Sequence, residues 1–249
     1  MQPTNPASGN RAHALWAFPF IGGLLPATGA LIALWLSNRL DLIPACNPFF
    51  EGCVSISLAG RHDLPNYIFR AFLLSGAVLQ AVTWLLCTAW LRGIGADPRR
   101  ALRVLPWLGL LAGAFLVLYG TFLGTEGRAY QWLRRYGIVV YFSFTYLSML
   151  IAAGHLQRIV ESGRARVPAH IERILLGICV VTLALGLVSV FLPVFYGDEG
   201  FKYRLENVME WNAALLFTVY FTLLALVWRR TGFVARLSTD AVGVGRDPS

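Results

Sequence analysis

The residues of this chain best equipped for chemistry crowd into one short stretch, Cys46 to Arg70, which holds Cys46, Cys53, Ser55, Ser57, His62 and Asp63. A serine, a histidine base and an acid to orient it form the residue set of a nucleophilic hydrolase. The spacing argues against it. His62 and Asp63 are adjacent, neighbouring side chains rarely point so that one can hold the other, and no G-x-S-x-G turn exposes a nucleophile. Local work is the simpler expectation: Ser55 and Ser57 satisfying backbone groups, Gly60 turning the chain, and Asp63 capping a helix two residues before Pro65. Two sulfurs with His62 as the one nearby histidine make an incomplete zinc set, so no metal and no other cofactor is expected.

A second polar group stands at the head of the last apolar run. Glu206 and Glu210 are one helical turn apart on one face, with Asn207 and Asn212 beside them. An acid at the edge of hydrocarbon is costly unless paired or hydrated. An ion pair of Glu210 with Arg70, Arg128 or Arg204 is the simplest solution, and a polar pocket that receives a lipid head group is the other.

These residues must be positioned by membrane helices. Hydrophobic residues make up 57% of the 249-residue chain and charged residues 14%, against roughly 25% charged in soluble domains. Apolar runs of the length that crosses the hydrocarbon core of a bilayer recur six times, predicting helices over about 14–36, 68–91, 104–124, 136–154, 174–196 and 207–228. Nearly every run lacks a charged face, which excludes a soluble bundle. The expected fold is all-α: one domain, 1–249, of six transmembrane helices with an ordered first loop, followed by a flexible tail over 231–249. The first run follows a single arginine, Arg11, and exceeds the length of a signal-peptide core, so a retained helix is expected.

Of the 21 basic residues, 13 fall on the side of the two termini, so the positive-inside rule puts both termini in the cytoplasm and the Cys46 loop outside it. The net charge of +8 then reads as a topology signal, and with no soluble basic module nucleic-acid binding is not expected. Outside the cytoplasm, Cys46 and Cys53 are expected to pair as a disulfide, closing a small loop whose Phe49 and Phe50 can dip into the membrane interface. Cys87 and Cys179 lie inside apolar runs and read as small hydrophobes. Pro19, Pro26, Pro106 and Pro193 predict kinks. Gly109, Gly113, Gly120 and Gly124 predict close helix contact, and Gln80, Ser143, Thr145 and Ser148 ordinary interhelical hydrogen bonds. Short loops and a preference for arginine over lysine favour a bacterial plasma membrane over an endomembrane.

The loop pattern C-x6-C-x-S-I-S-x-x-G-x-x-x-x-P-x-x-x-F, carried by Cys46, Cys53, Ser55, Ser57, Gly60, Pro65 and Phe69, resembles the first luminal loop of the Frag/DRAM/Sfk family, and Glu210-Trp211 resembles the acid and aromatic opening that family's last helix. These six-helix proteins include a Golgi factor for GPI-anchor lipid remodelling, the damage-regulated autophagy modulators, and a plasma-membrane protein linked to phosphoinositides and lipid asymmetry. The resemblance implies lipid-related work in a membrane without naming a reaction, and His62 is outside its pattern.

The favoured expectation is a non-catalytic membrane protein that binds or organises lipid, or supports a lipid-modifying enzyme as its partner, through a polar pocket at the outer leaflet. Ser55, Ser57, Asp63, Arg70, Glu206 and Glu210 are the expected head-group ligands. An enzyme remodelling lipid acyl chains or head groups, with Glu210 or His62 as base, is the alternative. A small-molecule transporter is a third, disfavoured by the scarcity of intramembrane charge and of any inverted repeat.

Overall fold

The computed structural model describes residues 12–165, 167, 170–196 and 198–236. Among the described residues, six helices are long and apolar enough to cross a membrane: α1 (Ala17–Arg39), α3 (Asp63–Gly93), α4 (Arg100–Thr121), α5 (Arg128–Glu161), α6 (Ile171–Tyr196) and α7 (Glu199–Arg230). A four-residue helix, α2 (Ile56–Ala59), lies in the first loop, and two short strands, β1 (Ala12–Ala14) and β2 (Val234–Arg236), flank the bundle.

Several helices outrun the apolar stretches that announce them. The longest gains are at α5 and α7, each more than 30 residues long. An apolar run marks only the part that meets hydrocarbon, whereas a helix continues through the polar layer until something stops it. At the head of α7 the start is set by Asp198, whose carboxylate accepts from the Gly200 and Phe201 amides. At α3 the expected cap shifts by one residue. His62 is the capping residue, Asp63 is the first residue of the helix with φ +44°, and no side chain bonds the first turn. Pro65 lacks an N–H, so that turn has fewer donors to satisfy.

The long helices run up and down in a closed ring, each packed on its neighbours in chain order, with α7 returning to α1. In lipid there is little hydrophobic drive between helices, so close van der Waals contact must hold them. Glycine supplies it. Along α4, a Cβ on Gly109 would collide with Trp84 and one on Gly113 would sit 2.8 Å from Ala81, both on α3. Gly76 receives Pro26 of α1 in the same way. Gln80 ties three helices: its amide donates to Gly22 O of α1 (2.9 Å) and its oxygen accepts from the Tyr141 hydroxyl of α5 (3.0 Å). Cys87 and Cys179 are buried free thiols. Large apolar side chains such as Val78, Trp107, Val180 and Val190 cover the perimeter that faces lipid.

Both ends of the ring are tied off. At one end β1 pairs antiparallel with β2, Ala12 opposite Arg236, so residues 234–236 of the expected flexible tail form a strand; residues 237–249 lie outside the described ones. The indole N–H of Trp90 on α3 donates to Thr231 Oγ1 (3.0 Å), which fixes the turn before β2. Nearby, Arg164 Nη1 bonds Asp97 Oδ1 at 2.8 Å, and the guanidinium holds the Asp97 carboxyl below the usual carboxylate range. At the other end lies the cysteine loop.

Candidate functional site

Cys46 and Cys53 are joined in a disulfide with their Cα atoms 6.5 Å apart, within the span such bonds require. Inside the loop, Asn47 and Glu51 form a local turn: Glu51 Oε1 accepts from the Asn47 amide and Asn47 Oδ1 from the Phe49 amide, both at 3.1 Å. Ser55 caps α2, its hydroxyl accepting from the Leu58 amide at 3.0 Å, as the local reading of the serines expects.

The loop is stapled to α7 by three side chains from two successive turns. Asn207 Nδ2 donates to Gly52 O (2.8 Å), Trp211 Nε1 to Val54 O (2.9 Å) and Asn212 Nδ2 to Phe49 O (3.0 Å). Gly52 is required here: its φ is +63°, and a Cβ would strike the Arg204 carbonyl. Phe49 turns inward onto the Trp211 ring, 5.3 Å between centroids, while Phe50 stays 82% exposed. The two phenylalanines therefore divide, one sealing the bundle and one facing out. From the far side, Ser37 of α1 donates to Ala59 O (2.7 Å) and Asn66 of α3 to Gly60 O (2.8 Å).

Beneath this cap is a cleft of about 100 Å³, lined by α1, α3, α4, α5 and α7. On α7 its wall runs from Glu210 through Ala214 and Phe217 to Phe221, one face at helical spacing. At 1.5 Å per residue that wall is about 16 Å long. Leu31 of α1 and Leu215 of α7 line the cleft and are each about half exposed on the perimeter, so the cleft reaches the lipid-facing surface along the α1–α7 seam. The lining is apolar except for Gln80, Tyr119, Tyr141, Glu210 and Thr218. Gln80 and Tyr141 bond each other on the cleft wall, and the Thr218 hydroxyl donates to Ala214 O in its own helix (2.9 Å). Glu210 and Tyr119 lie toward the cap.

Glu210 makes no ion pair among the described residues. Arg70, Arg128 and Arg204 are not within bonding distance of it, so the ion-pair solution is absent. Its carboxylate instead lies near the Ile56 backbone N–H, at the start of α2, with Glu206 as a like-charged neighbour. Of the expected ligands, only Glu210 lines the cleft. Ser57 interacts with the Tyr119 hydroxyl without completing a hydrogen bond, Ser55 is engaged as a cap, and Asp63 and Glu206 are exposed. Arg70 is half-buried outside the lining. Tyr119, Arg61 and Arg134, whose neighbourhood appears only in three dimensions, are the polar residues sequence reasoning did not select. Among the described residues no three His, Cys, Asp or Glu side chains gather as a metal site would need.

Residues 14–227 match the Frag1/DRAM/Sfk1/Cwh43P N-terminal domain. The chain belongs to this family. That match runs from the first helix to the last turns of α7 and takes in the whole cap and cleft of the Frag1-family bundle. No curated protein and no solved structure matches the chain.

Proposed function

We propose that this Frag1-family protein is a non-catalytic lipid-binding membrane protein, with the head-group end of one acyl chain of a membrane lipid entering the α1–α7 cleft and its polar end beneath the disulfide loop. One observation carries the reading: an apolar cleft reaching the perimeter, closed by an ordered cap and ending at a carboxylate that forms no ion pair among the described residues. Water or a small polar solute has few partners along such walls, whereas a hydrocarbon chain matches them. The distribution of basic residues supports an orientation with the cap away from the cytoplasm.

The test is lipid retention after purification in a mild detergent, read by mass spectrometry. Ala214→Trp fills the cleft and is expected to strip bound lipid, while Val78→Trp, on the perimeter, leaves it. Incubation of wild type with membrane lipids is expected to leave them chemically unchanged. Time-dependent conversion of any lipid, or equal retention by Ala214→Trp, overturns the proposal.

A further inference from the structure

Two buried polar atoms near the capped end of the bundle lack partners. Tyr119 lines the cleft and is 2% exposed, and its hydroxyl is buried without a hydrogen-bond partner. The Nε of Arg61 is also buried and unpartnered. Leaving a buried polar group unbonded costs about 1–3 kcal/mol, and more for a charged one. Such atoms in a native fold call for a partner.

A second arginine shares the corner. Asn66 Nδ2 bridges Gly60 O (2.8 Å) and Leu123 O (3.3 Å), and Gly124, with φ +87°, lets the Arg61 carbonyl approach to within 2.9 Å of where a Cβ would sit. The turn after α4 is therefore bolted to the turn before α3. Arg134 of α5 grips that same turn, donating through Nη1 to Phe122 O (3.0 Å) and Thr125 O. Arg61 and Arg134 are close enough to repel each other, and both act on the Tyr119 hydroxyl. Neither forms an ion pair with a carboxylate among the described residues. A guanidinium carries five donors in a planar fork suited to phosphate, and Arg134 engages only one nitrogen.

Glu210, which lines the same cleft, also acts on the Tyr119 hydroxyl. The corner thus gathers two cations, a phenol and an anion beside the capped end of an apolar cleft, with Tyr119 and Glu210 on the lining and the two arginines behind it. The complementary ligand has an anion and a cation in its head group and a hydrocarbon tail.

Resting on the lipid-binding reading, we propose that the site takes a zwitterionic, amine-bearing phospholipid: Arg61, Arg134 and the Tyr119 hydroxyl hold the phosphate, and Glu210 accepts from the ammonium. Charge-assisted hydrogen bonds of this kind are the strong ones, which makes the head group a determinant of selectivity.

The test is competition for the purified full chain among phosphatidylethanolamine, phosphatidylglycerol and diacylglycerol of identical chains, read by native mass spectrometry. Wild type is expected to retain phosphatidylethanolamine over both others by about tenfold or more, the effect of at least one hydrogen bond to a charged group. Arg61→Gln is expected to lose most of that preference while retaining diacylglycerol as before. Glu210→Gln is expected to erase the preference over phosphatidylglycerol alone. Tyr119→Phe keeps the fold, because its hydroxyl has no partner in the protein, and is expected to weaken phosphatidylethanolamine retention severalfold. Absence of head-group preference in wild type, preference for phosphatidylglycerol, or preference unchanged in Arg61→Gln and Tyr119→Phe overturns the assignment. Glycerophosphoethanolamine binding as tightly as the lipid overturns it too, by pointing to a soluble phosphodiester. The underlying cleft reading fails separately, if Ala214→Trp retains all three lipids like wild type.

Discussion

Removing the amide of Asn207 should loosen the cap without touching the cleft. Asn207 is 3% exposed and its Nδ2 is the donor to Gly52 O at 2.8 Å, a bond between residues 155 positions apart. Asn207→Ala deletes few packing atoms but leaves a carbonyl without its donor where water has little access. The cost of such an orphan is about 1–3 kcal/mol, and it falls on the closed state of the cap alone. At 1.4 kcal/mol per factor of ten, local opening should become about 5- to 150-fold more frequent. Hydrogen exchange followed by mass spectrometry reads this through the Leu58, Ala59 and Gly60 amides, which are bonded to Ser55 Oγ, Ser55 O and Ile56 O and exchange when α2 opens. Asn212→Ala is the internal comparison. Asn212 is only partly buried and also bonds Val208 O in its own helix, so water can replace its contact with Phe49 O and the acceleration should be several times smaller. If Asn207→Ala leaves those amides within twofold of wild type, or Asn212→Ala accelerates them equally, the cap is not held by buried bonds to α7.

The glycine stripe and the exposed ion pair give sharper contrasts. Gly109→Ala places a Cβ against Trp84 and should lower thermal stability, by about 1–3 kcal/mol of overpacking, whereas Gly154→Ala meets nothing within 4 Å and should leave the melting temperature unchanged or slightly higher. The depressed carboxyl of Asp97 contributes stability above its ordinary titration range and loses it as pH falls through the folded value, so any effect appears only in strongly acidic solution. Because both partners are about half exposed, Asp97→Asn should barely move the melting temperature at neutral pH and less still in high salt; a large shift would contradict that account.

Composition and run length alone determined that six helices cross a membrane, because every backbone polar group in hydrocarbon must be bonded within its own segment and only a long apolar helix does that. The same local logic made Ser55 a local cap and the α4 glycines contact points, since capping and close approach are decided by neighbours a few residues away. Tertiary structure decided the site. Asn207 and Gly52 meet because α7 returns beside α1 and carries its polar face under the loop, a pairing no short-range pattern encodes. Glu210 appeared to need a cation from Arg70, Arg128 or Arg204, yet it forms no ion pair among the described residues and lies near the Ile56 N–H of the loop. Arg61 and Arg134 are unremarkable loop-flanking arginines in the sequence, and they become neighbours only because the turns around Gly60 and Gly124 pack on each other. Helices are written in periodicity, which is local; a binding corner is built from the ends of several helices, and their meeting is fixed by the closure of the ring.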